Sequence, residues 1–205
     1  MTVSSLQRTT AEHVTVRLGD GSEIKSTLGA VTELRLFAGK DLDGEQLDEL
    51  RLLSRRLLAL EKASGYLSYR PLSGRELKDK LLRRGMDEET ADYCVEKLTD
   101  TGLMDDGSYA VSVAKRYASK GYGAGRIKAE LARRGIDREL WDDALETTPP
   151  PDDRLDRLVR SKLKDPEDRD EIRKLSASLY RRGYSWDEIR DAIGRCADNT
   201  EFEDY

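Results

Sequence analysis

Arginine pairs followed by glycine occur three times in this 205-residue chain, at positions 83–85, 133–135 and 181–183. The planar guanidinium group of arginine can bind a carboxylate or a phosphate through two parallel hydrogen bonds, which lysine cannot do. Basic side chains in the last turn of a helix also offset the helix dipole, by roughly 0.3–1 kcal/mol each. The pairs therefore have two possible roles, recognition of an anionic partner or stabilisation of a helix end, and the sequence leaves both open.

A basic stretch in the middle of the chain is the stronger candidate for binding. Positions 115–134 contain seven Lys and Arg residues and a single acid, Glu130. Tyr117 and Tyr122 are interleaved with the cations, and this mixture suits nucleic acid or an acidic protein groove. The alternative is a solvated helix face whose tyrosines belong to the core. The candidate contact residues in this stretch are Lys115, Arg116, Lys120, Tyr122, Arg126, Arg133 and Arg134.

Residue types that usually carry catalysis are scarce. His13 is the only histidine, and it begins a predicted strand, so a structural role is favoured over acid–base chemistry. Cys94 and Cys196 are far apart and lack metal-ligand spacing, which indicates reduced thiols. The "GYGAGR" stretch at 121–126 follows a helical pattern and lacks the Lys-Ser/Thr end of a phosphate-binding loop, which favours a turn between helices. We therefore expect a protein that is not an enzyme and uses no cofactor and no metal.

The composition favours a helical protein of the cytoplasm. Charged residues make up 38% of the chain and hydrophobic residues 37%, which suits helices that each keep a wide wet face. The net charge of −5 argues against a whole-molecule preference for nucleic acid but leaves room for a local basic face. No apolar run approaches the roughly 20 residues of a membrane span, and the first residues do not have the pattern of a signal peptide.

The glycines of the three arginine stretches reveal an internal repeat. When Gly85, Gly135 and Gly183 are aligned, a leucine precedes each by four positions and an apolar residue precedes each by eight. This spacing predicts a helix that ends at the glycine, which accepts the left-handed backbone of a helix terminus. One apolar residue and then a predicted N-cap follow each glycine, so a second amphipathic helix begins at once. These predicted N-caps are Asp87, Asp137 and Ser185.

A further helix is predicted before each of these helix pairs, which gives three helices in about fifty residues, repeated three times. We therefore predict a mainly α protein, an elongated tandem array of three three-helix repeats with a small N-terminal β-element. The predicted segments are a disordered N-terminus at 1–11, the β-element at 12–45, repeats at 46–104, 105–148 and 149–197, and an acidic tail at 198–205.

Several local features are predicted within these segments. The β-element should contain a hairpin of "HVTVRL" and "SEIKSTL" and a third strand at 30–37. Cys94 aligns with alanines of the other repeats and is expected to be a small core residue. Trp141 and Trp186 are both expected to be packing residues and not binding platforms. Capping boxes are predicted for Asp43 with Gln46, Ser73 with Glu76 and Ser185 with Glu188.

Four motifs resemble the RecX family, bacterial regulators of the RecA recombinase. They are "SGRELKDKLLRRG", "GLMDDGSYA", "KGYGAGRIKAELARRGID" and "LYRRGYSWDEIRDAI", which together cover about 62–195. The resemblance implies tandem three-helix repeats without enzymatic activity. It also implies that the chain binds the RecA filament on single-stranded DNA and inhibits filament growth, ATP hydrolysis and strand exchange in recombination and DNA repair. Residues 1–45 are not covered by these motifs.

The resemblance also suggests where the partner binds. The basic surface of the middle repeat becomes the candidate contact face, and Arg83, Arg84, Arg181 and Arg182 extend it along the array. A helical module that acts directly on single- or double-stranded DNA is the alternative, because short three-helix units with basic helices can dock on nucleic acid. No membrane partner is expected, and the chain is expected to be a monomer.

Overall fold

The computed structural model describes residues 1–165 and 167–200. The chain divides into two compact units, Met1–Met104 and Asp105–Tyr205. The first unit contains the N-terminal sheet and the first helical repeat, and the second unit contains the other two repeats. The predicted mainly α fold, with three three-helix repeats and a small β-element, is therefore confirmed.

Three antiparallel strands form the N-terminal sheet, in the order β1-β2-β3. They are β1 (Val3–Arg8), β2 (His13–Leu18) and β3 (Glu23–Thr27). The predicted hairpin corresponds to β2 and β3 and is confirmed. The prediction of a disordered segment at 1–11 was wrong, because β1 pairs with β2 and Val3 is fully buried. Few apolar residues mark β1, so its strand structure depends on pairing that the local pattern does not reveal.

The predicted third strand at 30–37 was also wrong. Its first part belongs to a short helix, α1 (Leu28–Glu33), whose N-cap Thr27 accepts a hydrogen bond from the Ala30 N–H at 3.2 Å. Ala30 is buried, and the half-buried Val31 and Leu34 extend the same face at helical spacing. The segment therefore follows a period of 3.6 residues, and its β-branched residues do not decide its structure.

The first repeat packs on the sheet through its long first helix. Leu50 of α2 lies in one apolar cluster with Val3, Val16 and Leu18 of the sheet. A second cluster joins the three helices of the repeat around Leu77 and Leu81. These helices are α2 (Gly44–Tyr69), α3 (Gly74–Arg83) and α4 (Glu88–Asp100).

The second unit contains two apolar clusters, one for each repeat, centred on Leu131 and on Leu179. The helices of the second repeat are α5 (Asp106–Ser119), α6 (Ala124–Arg133) and α7 (Trp141–Glu146), with a 3-10 turn at Arg138–Leu140. Those of the third repeat are α8 (Pro151–Lys162), α9 (Arg169–Arg181) and α10 (Trp186–Thr200). The predicted tail at 198–205 thus begins inside α10, and residues 201–205 lie outside the described residues.

Most predicted helix termini are confirmed. The glycines at 85, 135 and 183 have φ angles of +80°, +67° and +90°, which is the left-handed conformation expected after a helix. The capping boxes that begin α2, α3 and α10 are all present. The side chain of Asp87 caps α4, but that of Asp137 makes no capping bond. Instead the Leu140 N–H donates to the Asp137 carbonyl, because the chain continues as a 3-10 turn.

Two kinds of feature are absent from the described residues. No helix among residues 1–165 and 167–200 is long and apolar enough to cross a membrane. In the same part of the chain, no group of three or more His, Cys, Asp and Glu side chains is arranged to hold a metal ion.

Candidate functional site

The "GYGAGR" stretch connects α5 to α6 as predicted, and it also forms a contact with the third repeat. The Gly123 N–H donates to the Arg182 carbonyl, and the Gly125 N–H donates to the Gly183 carbonyl, both at 2.9 Å. We call this contact between residues 121–126 and Arg182–Gly183 the joint. It satisfies N–H groups at the start of α6, whose N-cap Gly123 has no side-chain cap.

The joint brings the end of α9 against the start of α6. The carbonyl groups at the end of α9 meet the N–H groups at the start of α6, so the negative end of one helix dipole faces the positive end of the other. Close approach is possible because glycine occupies both sides. A methyl group on Gly123 would lie 2.5 Å from the Gly183 carbonyl oxygen, and one on Gly183 would lie 2.7 Å from the Arg126 Cβ. The Arg-Arg-Gly stretch of the third repeat therefore ends a helix and also contacts the second repeat.

Several of the candidate cations surround the joint. The Arg182 guanidinium lies 3.5 Å from the Gly121 carbonyl oxygen and 6.0 Å from the centre of the Tyr122 ring. Tyr122 in turn lies 5.4 Å from Tyr117, measured between ring centres. Lys120 and Arg116 are 5.9 and 6.0 Å from the Tyr117 ring, so both cations lie over this aromatic pair. Both tyrosines are half-buried, so their exposure does not decide between a role in binding a partner and a role in the core.

The cations around the joint are largely exposed. Arg182 is the half-buried member, and neither Lys115 nor Arg126 has a carboxylate within 4.0 Å among the described residues. We call this set the basic joint surface. Its members are Arg116, Lys120, Arg126, Arg181 and Arg182, together with Lys115, which directly precedes Arg116 on α5. Exposed cations that are not paired with a carboxylate remain available to an anionic ligand, and their mutual repulsion favours such binding.

The other two candidate cations of the middle repeat have a different environment. Both bind Glu130, which is only 5% exposed: Arg133 Nη2 lies 2.6 Å and Arg134 Nε 2.7 Å from its Oε1. Arg134 also donates to the Tyr109 hydroxyl. Hydrogen bonds from Arg133, Arg134 and Tyr117 outweigh the effect of burial and lower the Glu130 pKa from 4.5 to about 2. Arg134 therefore serves the core of its repeat.

Arg83 and Arg84 lie in the first unit, at the end of α3, and both are exposed. The residue five before the glycine is Lys80 in this repeat and Ser178 in the third, so Glu130 occurs only in the second. The three arginine pairs consequently have different environments. In the described structure, one is exposed, one is bound to a buried carboxylate and one takes part in the joint.

An exposed aromatic pair was not predicted. The rings of Tyr180 and Trp186 stack at 5.0 Å with 18° between their planes, and they are 52% and 54% exposed. The expectation that Trp186 is a packing residue was therefore wrong. The repeat alignment contained the signal, because the positions equivalent to Trp186 hold the polar residues Glu88 and Arg138. A position that is charged in two repeats is a surface position in the third.

The remaining residues with possible chemistry have structural environments. His13 Nε2 lies 2.7 Å from a Glu61 carboxylate oxygen, and its Nδ1 lies 3.0 Å from the Thr10 hydroxyl. Cys94 is fully buried, as predicted, and burial raises the pKa of its thiol to about 11. A thiol with so high a pKa is a poor nucleophile at neutral pH.

Comparison with known proteins identifies the repeats. Family models described as the first, second and third three-helix domains of RecX match residues 59–98, 105–145 and 152–193. The chain is 35% identical over 136 residues to the regulatory protein RecX of Stenotrophomonas maltophilia (strain R551-3), covering 65% of this chain and 83% of that protein. It is 37% identical over 134 residues to RecX of Xanthomonas campestris pv. campestris (strain B100), with 64% and 83% covered.

Two solved structures have the same fold. One, titled crystal structure of regulatory protein RecX, matches with a TM-score of 0.77 and 24% identity, covering 93% of this chain and 98% of that chain. The RecX of Lactobacillus salivarius matches with a TM-score of 0.61 and 25% identity, covering 70% and 97%. Coverage of 93% leaves about 14 residues unmatched, so the shared fold extends into the N-terminal sheet. The chain belongs to the RecX family of regulatory proteins.

Proposed function

We propose that the chain is a non-enzymatic regulator that binds the RecA recombinase and its filament on single-stranded DNA. Binding inhibits filament growth, ATP hydrolysis and strand exchange, and so limits recombination and DNA repair. Membership of the RecX family supports a regulatory role. We choose the contact face because of the basic joint surface, whose cations belong to two repeats and are largely exposed.

The joint determines how these cations are presented. Arg126 follows the turn at Gly123 and Gly125, and the Arg182 guanidinium reaches the Gly121 carbonyl oxygen. Cations of two repeats are therefore held at fixed separation by backbone hydrogen bonds instead of by flexible loops. A fixed array of charges loses little conformational entropy on binding and matches an anionic groove of one particular spacing. A recombinase filament on DNA supplies such a groove, with carboxylates of the protein and phosphates of the nucleic acid.

The proposal predicts that reversing three of these charges weakens inhibition. We expect the variant Lys115→Glu, Arg116→Glu and Lys120→Glu to require a concentration about tenfold higher, or more, for half-inhibition of the DNA-dependent ATPase of RecA. The matched control is Arg160→Glu, Lys162→Glu and Lys164→Glu. These residues are also exposed, lie in the last turn of helix α8 or just after it, and give the same change of charge.

Circular dichroism establishes that both variants keep their helices before inhibition is compared. If the two variants inhibit equally well, the basic joint surface is not the contact face. If the unmodified chain has no effect on the ATPase at an equimolar amount, the proposed function itself is wrong.

A second function, direct binding of single-stranded DNA, is favoured by the exposed pair of Tyr180 and Trp186. Aromatic rings beside arginine stack on bases, at about 1–3 kcal/mol for each base, and Arg181 follows Tyr180 directly. In that case we expect Trp186→Ala to lower the affinity for a labelled oligonucleotide of thymidines by about tenfold or more.

Salt dependence gives the decisive comparison for this second function. The affinity for a single strand should fall with a logarithmic slope of about −0.7 for each phosphate contacted. Trp141→Phe provides the control, because Trp141 is half-buried and donates to the Ile136 carbonyl. Binding that Trp186→Ala leaves unchanged, or that shows no salt dependence, excludes this mode.

A further inference from the structure

A cleft of about 370 Å³ lies in the first unit, remote in sequence from the basic joint surface. Its floor is a stripe of α2 at successive spacings of three or four residues, from Arg51 through Arg55 and Leu58 to Lys62. Strand β3 forms one wall and the turn after Gly85 forms the other. The N-terminal sheet, which the family models do not match, is therefore part of a concave surface.

The cleft is strongly basic. Four cations line it, and Asp87 is the only acid among its lining residues. Asp87 already caps α4 by accepting the Thr90 N–H at 2.9 Å, and its other oxygen lies 3.5 Å from Arg55. No carboxylate lies within 4.0 Å of Lys25 or Lys62 in the described residues. The lining cations are Lys25, Arg51, Arg55 and Lys62. Arg51 lies 3.5 Å from an Asp48 carboxylate oxygen and Arg55 the same distance from Asp87, so Lys25 and Lys62 carry the positive charge that the fold itself does not neutralise.

Apolar side chains lie between these cations. Leu58 and Met86 are half-buried, Ile24 is half-buried on β3, and Ala59 is 4% exposed. A surface of phosphate-binding type would need cations and hydrogen-bond donors but no such apolar floor. A peptide with both acidic and apolar side chains matches the two kinds of lining residue together.

The edge of strand β3 provides backbone hydrogen-bonding groups. The Leu18 N–H donates to the Ser22 carbonyl and the Leu28 N–H donates to the Glu12 carbonyl, so hydrogen-bonded pairs fall at every second residue between them. The register pairs Ile24 with Val16 and Ser26 with Val14, which places the N–H and C=O groups of Lys25 on the outer edge. Within the described residues, no hydrogen bond occupies these Lys25 groups.

We propose that this cleft binds an extended acidic segment of a partner protein, which adds as a strand to the outer edge of β3. Side chains of an extended peptide alternate between two sides. One set faces α2, where Leu58 lies between Arg55 and Lys62, and the other set lies on the side of the Lys25 side chain. Main-chain bonds to Lys25 supply affinity, and the charges supply selectivity for acidic sequences. The site gives the chain a second contact point that is separate from the basic joint surface.

The test uses the full chain and a fluorescein-labelled peptide of ten residues in which Asp or Glu alternates with Val. Fluorescence anisotropy measures its affinity. We expect the double variant Lys25→Glu, Lys62→Glu to weaken binding by about tenfold or more, since two attractive charges become repulsive. The control variant Arg75→Glu, Lys97→Glu reverses two exposed charges of the same unit outside the cleft and should bind as the unmodified chain does.

A second peptide separates strand addition from simple charge attraction. N-methylation of alternate residues, placed in turn on each of the two sets, removes the N–H groups that would pair with β3 and leaves every charge in place. We expect one of the two methylated peptides to lose about tenfold or more in affinity. Equal affinity of both methylated peptides and the parent overturns strand addition. Binding that is equal in the two double variants, or a cleft that prefers a thymidine oligonucleotide to the peptide, overturns the proposal as well.

The cleft and the basic joint surface can be tested independently. The variant Lys115→Glu, Arg116→Glu, Lys120→Glu should bind the acidic peptide with unchanged affinity, because none of its substitutions lines the cleft. Loss of peptide binding in that variant would place the peptide on the second unit and reject the cleft. Failure of the ATPase experiment leaves this result unaffected, so the two proposals are distinguishable.

Discussion

The variant Gly183→Ala is expected to lower the free energy of unfolding of the second unit by about 4 kcal/mol. Two costs contribute. Gly183 has a φ of +90°, where an L-residue with a Cβ costs roughly 1–2 kcal/mol. The added methyl group would also overlap the Arg126 backbone nitrogen and lie 2.9 Å from the Arg126 Cα, and overlap of this kind costs about 1–3 kcal/mol. Backbone atoms cannot rotate away as the end of a side chain can, so α6 or the turn must move.

Gly85→Ala is the matched control. Gly85 occupies the same position of the first repeat, with a φ of +80°, but a Cβ there meets no atom within 4 Å. Its variant should therefore lose only the conformational cost of roughly 1–2 kcal/mol. Urea unfolding followed by circular dichroism measures both variants. Losses of equal size would show that the joint contributes no close contact at Gly183.

Intrinsic fluorescence isolates the unit concerned. Both tryptophans of the chain, Trp141 and Trp186, lie in the second unit, so their emission follows its unfolding.

The variant Gly123→Ala separates steric overlap from backbone strain. Gly123 has an ordinary φ of −81°, and yet a methyl group there would lie 2.5 Å from the Gly183 carbonyl oxygen. Gly194→Ala, in open space on α10, should instead stabilise the chain slightly, by about 0.5–1 kcal/mol.

Loss of the joint should also affect binding. The hydrogen bonds from Gly123 and Gly125 hold Arg182 beside the α5–α6 turn, so a displaced turn changes the spacing between Arg126 and the cations of the third repeat. We expect Gly123→Ala to inhibit less strongly than Gly194→Ala if the basic joint surface is the contact face. A variant that is destabilised but inhibits fully would indicate that cation spacing is unimportant.

The features that could be predicted from the sequence are local ones. Gly85 and Asp87 are separated by one residue, and the helix end and the N-cap that they form depend on atoms within one turn of the chain. A pattern repeated three times strengthens such a prediction, because each copy is independent support. The repeat architecture and the family followed from these helix termini and from the motifs around them.

Features that depend on contacts between distant segments were missed. Strand β1 forms because β2 lies beside it, and the joint forms because the third repeat packs against the turn of the second. The glycines of "GYGAGR" suggested a turn, yet their real constraint is the backbone of Gly183 some sixty residues away. Local spacing carries no information about such a partner, so neither the joint nor the grouping of cations around it could be derived.

Glu130 is an intermediate case, since its environment was encoded locally but overlooked. It stands three residues before Arg133 and four before Arg134, which is the spacing of helical ion pairs. Its significance lies in burial: the Arg134 side chain is only 11% exposed, so its charge depends on the Glu130 carboxylate. The single acid of the basic stretch is thus the residue that binds two of its cations.

Glu130→Gln is therefore expected to destabilise the second unit by about 3 kcal/mol at pH 7. The amide keeps the shape of the side chain, but it removes the negative charge that lies 2.7 Å from the largely buried Arg134 guanidinium. Urea unfolding followed by tryptophan fluorescence measures the loss, and Glu139→Gln, an exposed acid of the same repeat, should change stability by less than about 0.5 kcal/mol. Adding Arg134→Met should restore part of the loss, because it removes the buried charge that the Glu130 carboxylate had balanced.

The same carboxylate makes stability depend on pH in a defined window. Because its pKa is lowered from 4.5 to about 2 in the folded chain, Glu130 stabilises the fold fully above pH 4.5, and the contribution is lost as the pH falls from 4.5 towards 2. Glu130→Gln has no proton to gain and should show a shallower loss of stability across this window, so the two stability curves converge at low pH. Curves that stay parallel from pH 6 to pH 2.5 would mean that the carboxylate has the same pKa folded and unfolded. Arg133 and Arg134 would then be helix-end residues with no specific dependence on Glu130.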